Sequence, residues 1–403
     1  TKIFITWGEH DMAENIVHLV LARLPDAPPG VKGISLFVCP KFLVNDDGSL
    51  GERNDLVCAS IEHKMGIHAS PTAVMSFGDG PGAIGYLVGE PHKGLGYMFT
   101  MMNYARLNVG LEGVAISERA YQRARAYAID RVQGRTLTEG SRGIIGHPDV
   151  RRMLMDMKAR TEAMRALAYF AAAQMDRAQS HPDEATRAKS QALVDLLIPI
   201  VKGCCTEQAQ GITADGVQIH GGMGFIEETG AAQYVRDARI TTIYEGTTGI
   251  QANDLIGRKL IRDDGVTMKA LLHTVSAEAQ RQVGSGDAVL QQLGQGLQRG
   301  LDALAQATEW ILTRANQSPA ATAAGAVPYL KLCGTVLGAW LMNRAAEAAQ
   351  RQLNDNGQDD AFLSAKVITA RHYQYHVLVE ANSWRDRVIN GAISTLALQD
   401  DQF

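Results

Sequence analysis

The stretch IYEGTTGIQ (243–251) sets a single carboxylate, Glu245, between a tyrosine and a small Gly-Thr-Thr-Gly turn. The run just before it, VQIHGGMGFIEETGAAQYVRDARI (217–240), is rich in glycine, polar amides and basic groups. Small residues let a ligand approach the backbone closely, and a lone acid there can be held against a substrate carbon as a general base. Read by itself the tripeptide is a glycine-rich helix-to-helix turn carrying a solvated glutamate. The whole of residues 217–251, together with what precedes them, argues for a built site.

Composition narrows the chemistry. At 403 residues the chain can bury a large core and is long enough for two or three domains. With 46% hydrophobic and 20% charged residues and a formal net charge of −4, it has the balance of an ordinary soluble protein. No long basic run marks a nucleic-acid footprint, and no apolar stretch reaches the length of a membrane span; ALVDLLIPIVKGCC (192–205) is too short and is cut by polar residues. Cys39, Cys58, Cys204, Cys205 and Cys333 fit the spacing of neither a zinc site nor a disulfide framework, which implies reduced thiols and a cytoplasmic setting. His63 and His68 are close but lack a ligand-spaced partner, so no metal is expected. The chain opens on TKIFIT, without an initiator methionine or a visible secretory or transit segment, and reads as part of something longer.

These residues need elements to hold them. Up to about residue 90, short β-branched runs recur at 2–6, 15–24, 33–39, 56–63, 72–77 and 83–89. They are separated by turn chemistries at 28–30, 45–48 and 78–82, which favour an antiparallel sheet or small barrel. Beyond Gly94 the apolar spacing becomes helical. Helices are expected over 96–134, from Pro148 to about 180, over 183–214, near 230–237 and over 247–261, with GGMGF (221–225) in a loop. The Ala-, Gln- and Leu-rich remainder reads as helices 266–284, 287–316, 323–353 and 359–398, broken near Ser318-Pro319 and at 354–357. The expected architecture is α+β and mainly α: an antiparallel β-domain (1–92), a four-helix-bundle-like domain carrying the acid (93–262) and a further C-terminal helical domain (263–403). No GxGxxG stands between a strand and a helix, so a Rossmann dinucleotide site has no support.

Seven motifs in one order carry a resemblance: KIFIT (2–6), KMGIHASPT (64–72), YARLNVG (104–110), YAIDRVQGR (127–135), QIHGGMGF (218–225), RDARI (236–240) and IYEGTTGIQ (243–251). Over residues 1–262 the chain resembles the flavin-dependent acyl-CoA dehydrogenase family. The resemblance implies α,β-dehydrogenation of an acyl-CoA thioester to the trans-2-enoyl-CoA, with FAD as cofactor, in fatty acid β-oxidation. An α C–H beside a thioester is a weak acid, so a base must sit close while donors meet the developing enolate charge. The β-hydrogen leaves as hydride, which no side chain accepts, and flavin N5 is the family's acceptor.

In the family's pattern Glu245 is that base, its pKa raised when the acyl chain and thioester displace water, and its backbone N–H is the expected donor to the thioester oxygen. Some branches carry the base just before the YARL arginine; here that residue is Ala105, which cannot serve. The resemblance places Phe4 and Thr6 along the isoalloxazine ring, Arg131 at the pyrophosphate, and Gln218, Gly221 and Gly222 at the adenosine end. Thr247 and Gly249 flank the flavin after the base; Gly249 replaces a polar residue of some relatives. Tyr244, Arg106 and Asn103 match positions along the acyl or CoA slot. Arg258 is one residue out of register with an arginine that meets CoA phosphate in some relatives. Because Arg131 and residues 218–222 reach a neighbouring subunit's flavin in the family, a homodimer or homotetramer is implied, with electron-transferring flavoprotein as electron partner.

The tail at 263–403 departs from short members and is similar to a larger bacterial subgroup with an appended helical domain. That subgroup includes enzymes of broad acyl range and 3-methylthiopropanoyl-CoA dehydrogenases. The family's N-terminal helical domain and the glycine-rich flavin turn of its first β-segment have no counterpart in these 403 residues. Two other readings stay open: a catalytically impaired or silent fragment whose fold serves assembly, and an acyl-CoA oxidase passing electrons to oxygen.

Overall fold

The computed structural model describes residues 1–138, 140–356 and 360–403. Two compact units divide it, Thr1–Ala105 and Arg106–Phe403. The protein is mainly helical with an N-terminal antiparallel β part, as the sequence pattern predicts.

In the first unit the strands are β1 (Lys2–Phe4), β2 (Val17–Arg23), β3 (Ile34–Pro40), β4 (Phe42–Val44), β5 (Leu50–Arg53), β6 (Leu56–Ile61), β7 (Ala73–Phe77) and β8 (Tyr86–Val88). They form three antiparallel sheets, β1-β7-β6, β2-β3-β8 and β4-β5, rather than one. In the first, Lys2 faces Met75 and Phe4 faces Ala73, and Leu56, Ala73 and Met75 form a small core under Phe4, Cys58 and Phe77. The β4-β5 hairpin was invisible in the sequence because its strands are three and four residues long. Its turn was legible: Asn45 N–H bonds Ser49 O at 3.0 Å, Gly48 N–H bonds Asn45 O at 2.9 Å, and Gly48 takes φ +83°.

The second unit has one hydrophobic core reaching from Leu107 to Val388. Its helices are α1 (Gly94–Asp130, which begins in the first unit), α2 (Pro148–Ser180), α3 (Glu184–His220), α4 (Ala231–Arg239), α5 (Thr248–Asp254), α6 (Val266–Val283), α7 (Ala288–Arg314), α8 (Pro319–Ala324), α9 (Ala326–Asn356), α10 (Ala361–His372), α11 (Ala381–Asn390) and α12 (Ala392–Thr395). Start signals behave as read: Pro148 opens α2, and the Asp183 carboxylate accepts from Thr186 N–H at 2.9 Å to cap α3.

Four expectations change. Helix α3 runs six residues past 214, because its last turn buries Ile219 and His220, and it stops at Gly221 with φ +60°. Residues 221–225 are a 3-10 turn rather than a loop. The expected helix 247–261 is α5 followed by a π-helical turn, Leu255–Ile261, whose wider spacing buries Leu255, Ile256 and Leu260 together. The expected single helix 359–398 is α10, a π turn (Tyr373–Val377), a 3-10 turn (Leu378–Glu380), α11 and α12. The start at 359 and Gly357 of the predicted break lie outside the described residues.

Helix α9 is the hub of the tail. Tyr329, Leu330, Leu332, Cys333, Val336 and Leu337 are fully buried, and Tyr329 hydroxyl pairs with Thr308 at 2.8 Å. Against α3 it closes tightly: Cys204 Sγ donates to Leu330 O at 3.1 Å, and a Cβ on Gly334 would stand 2.3 Å from Cys204 Sγ. All five thiols are free; burial pushes Cys204 up to about 12 and Cys205 and Cys333 well above their usual range, which makes these three inert. Among the described residues no helix is long and apolar enough to cross a membrane. Gly334→Ala should cost about 1–3 kcal/mol of stability through overpacking, read as a shifted denaturant midpoint with an unchanged slope.

Candidate active site

Glu245 and Gly246 both have left-handed backbones, φ +56° and +91°. Glycine adopts this freely; a glutamate there carries about 1 kcal/mol of strain and keeps the conformation only if its surroundings impose it. They do. Lys202, fully buried on α3, donates from Nζ to Gly246 O at 2.6 Å. Gln251, fully buried on α5, donates from Nε2 to Glu245 O at 3.1 Å and Gly246 O at 3.2 Å. A side chain at 246 is excluded, since a Cβ would lie 2.8 Å from Gln251 Nε2. Thr247 caps α5, its Oγ1 accepting from Ile250 N–H at 3.3 Å, and Thr248 hydroxyl donates to Glu207 at 2.7 Å. The half-buried Glu245 carboxylate is thus carried on a turn gripped from α3 and α5.

The charges around it are dense. On α1, Arg106 is buried and pairs through Nη1 with buried Asp254 at 2.9 Å. Tyr244 hydroxyl donates to Glu112 in a close contact. Burial pushes Glu112 up, and the Glu245 charge adds to this against the Tyr244 hydrogen bond and Lys202. Burial also drives Tyr244 upward, with Glu112 and Glu245 adding to it. Lys202 falls to about 8, first because it is buried and next because Arg106 is close, while Glu245, Glu207 and Glu112 pull the other way.

The other sequence-predicted residues fall elsewhere. Arg131 is exposed just past α1, with Nη2 on Gln133 at 3.1 Å. Gln218 is exposed on the last turn of α3, and Gly221 and Gly222 are exposed with nothing within 4 Å of a built Cβ. Tyr127 stacks on buried His220 at 4.4 Å, which brings the ends of α1 and α3, and so these residues, together. Arg131 follows Glu112 by nineteen positions, so the two groups are about 28 Å apart along the helix axis. Gly249 lies half-buried in α5 beside Thr247.

In the first unit, Phe4 is half-buried with its ring edge-on to His18 at 4.9 Å. Thr6 hydroxyl meets Ser70, and Thr72 hydroxyl donates to Ile5 O at 2.7 Å, so KIFIT and KMGIHASPT form one surface. Ile3 on β1 and Ile5 and Trp7 just after it are 67%, 43% and 42% exposed. Asn103 is half-buried on α1.

Sequence reasoning missed Lys202, Gln251, Glu112, Glu207 and Asp254. Lys202 had a signal: a lone lysine amid LIPIV and GCC has apolar residues on every side, where a solvated lysine has no place. Elsewhere, Asp156, His372 and His376 bring ligand atoms within 4.8 Å of one another. There His372 Nε2 is 2.9 Å and Arg152 Nη1 3.1 Å from the Asp156 carboxylate.

Removing one partner of the buried Arg106–Asp254 pair strands a charge. Arg106→Met should lose about 3 kcal/mol of unfolding free energy, more than Asp254→Asn combined with Arg106→Met, measured by denaturant titration.

Comparison with known proteins shows the family. Residues 92–261 match the family model described as acyl-CoA dehydrogenase, C-terminal domain, and residues 270–399 match acetyl-CoA dehydrogenase C-terminal like. The 3-methylmercaptopropionyl-CoA dehydrogenase of Ruegeria pomeroyi is 50% identical over 399 residues, covering 98% of this chain and 67% of that protein. The broad-specificity linear acyl-CoA dehydrogenase FadE5 of Mycobacterium tuberculosis is 39% identical, covering 96% of this chain and 66% of the relative. An acyl-CoA dehydrogenase from Bacillus anthracis, solved in complex with FAD, shares the fold with a TM-score of 0.70 at 20% identity, over 96% of this chain and 62% of that one. The chain thus spans about two thirds of the length of the curated relatives it matches.

Proposed function

Because this chain belongs to the acyl-CoA dehydrogenase family, whose members are FAD-dependent oxidoreductases, we propose that it carries the base and part of the cofactor site for α,β-dehydrogenation of an acyl-CoA thioester. The observation that carries the reading is the Glu245 turn: one carboxylate on a left-handed backbone, with three side-chain hydrogen bonds from Lys202 and Gln251 closing on its carbonyls. Glu245 takes the α-proton. Its N–H is the donor to the thioester oxygen, so one turn meets both the proton and the enolate charge. Tyr244 lines the acyl slot and turns its hydroxyl away to Glu112. Arg106, in this reading, shapes the slot from behind, since its guanidinium is committed to Asp254.

The residues fit FAD in two places. The exposed apolar residues Ile3, Ile5 and Trp7, with Phe4 and Thr6, offer an apolar surface for the isoalloxazine ring. Arg131, Gln218 and the open space over Gly221 and Gly222 offer a cation, an amide and room for close backbone approach to the pyrophosphate and adenosine end. When bound, the flavin supplies the hydride acceptor. Thr247 and Gly249 would hold it beside the base, and Asn103 would meet the CoA or acyl tail. The distance of about 28 Å along α1 from Glu112, beside the base, to Arg131 supports a cofactor site shared between copies in a homodimer or homotetramer. We read 1–92, 93–262 and 263–403 as the functional divisions, electron-transferring flavoprotein as the electron partner, and the cytoplasm as the setting.

The test uses the full-length protein loaded with FAD and titrated anaerobically with 3-methylmercaptopropionyl-CoA and with linear acyl-CoA thioesters. The visible flavin bands should bleach. Glu245→Gln should keep the bands and lose bleaching by at least about 10³-fold, the scale of a removed general base. Near wild-type bleaching in that variant would sink the base assignment. Stoichiometric hydrogen peroxide in air would instead support an oxidase.

A further inference from the structure

We infer that Lys202 is a positioning residue for this base: its ammonium, reaching up from inside the bundle, fixes the Glu245-Gly246 turn and holds the carboxylate in its working place. The inference rests on the reading of Glu245 as the α-proton base.

A lysine in the middle of α3 has no packing reason to be fully buried between Ile198, Val201 and Cys205. A leucine or methionine would fill the same space without removing a charge from water. What its ammonium meets is a backbone carbonyl, at 2.6 Å, and that carbonyl belongs to the residue directly after the base. The grip falls where the chain most needs one, since Glu245 and Gly246 are both left-handed and the first has no preference for it. Gln251 holds the same two carbonyls from the α5 side, so the turn is clamped from two helices.

The groups that face Lys202 are Arg106 and Glu112 from α1, Glu207 from α3 itself and Glu245 from the turn, with Tyr244 on Glu112 and Lys331 of α9 3.2 Å from Glu207. Burial and Arg106 outweigh the three acids and bring Lys202 from its ordinary 10.5 to about 8. The unfolded chain therefore holds more protons than the folded one between about 8 and 10.5, and the Lys202 contribution to stability rises with pH across that window. A positioning role demands the opposite for the rate, because the ammonium–carbonyl bond weakens as the proton leaves.

This opposition is the test. In the full-length FAD-loaded enzyme, the rate of flavin reduction by butyryl-CoA should fall as pH rises through about 8, while the denaturant midpoint, taken as wild type minus Lys202→Arg, rises. Lys202→Arg, charged throughout, should show no alkaline fall. Lys202→Met should lose about 10- to 100-fold in reduction rate near neutral pH with a little-changed KM, the mark of a misplaced base. A readout free of flavin is amide exchange in residues 243–251 of the wild-type protein: corrected for intrinsic rates, protection should drop by about tenfold on crossing the window. An unchanged exchange profile across the window, or an alkaline fall that Lys202→Arg retains, overturns the inference, and both remain decisive if Lys202→Met does not fold. Glu245→Gln separates the two ideas. If it still bleaches, the base reading fails; if it does not bleach while the Lys202 readouts stay flat, only the positioning role fails.

Discussion

A glutamate in the left-handed region cannot hold itself there, and this constraint organises the helical unit. The restoring contacts come from outside the segment, from Lys202 on α3 and Gln251 on α5. Both donors are fully buried, so neither can swing into water. Each is in turn fixed by what lies behind it: α3 is pinned against α9 by the close approach of Gly334 to Cys204, and α5 is capped at Thr247 and anchored to α3 through Thr248 and Glu207. The core that looks like ordinary packing therefore sets the location of one carboxylate.

The local electrostatics follow from the same burial. Two cations, Arg106 and Lys202, sit among Glu112, Glu207, Glu245 and Asp254. Arg106 is spent on Asp254, which leaves Lys202 as the cation that answers the turn. Glu112 shares the load by accepting from Tyr244. A base that works beside a thioester must be close to charge without being neutralised by it. Giving the ammonium a carbonyl, and not the Glu245 carboxylate, as its hydrogen-bond partner meets that demand.

The fold was legible in the sequence where periodicity was strong, and the candidate site where motifs were local. Long helices, the capping aspartate at 183 and the turn at 45–48 were legible because they rest on neighbours in sequence. The π turns at Leu255–Ile261 and Tyr373–Val377 were not, since one extra residue per turn looks like an ordinary apolar helix until the packing partner is known. Glu245 was legible from its small-residue surroundings. Lys202 and Gln251 were not, because their roles depend on carbonyls 44 and five or six residues away, across a helix–turn junction that no spacing rule describes. Arg106 was read as lining the slot, and its pairing with Asp254, 148 residues on, was not legible.

The intimacy of α9 with α3 also bears on how such a chain can change over generations. Tyr329, Leu330, Leu332, Cys333, Val336 and Leu337 present an unbroken dry face, and Gly334 lets the helix backbone settle almost onto Cys204. An ancestor that gained this tail could have tolerated its loss only while α3 still wore a polar face. Once small and apolar residues accumulated on both sides, deletion would expose the very helix that supports the acid. The tail is then retained by a ratchet, kept because its neighbour has come to depend on it, whether or not it ever touches a ligand.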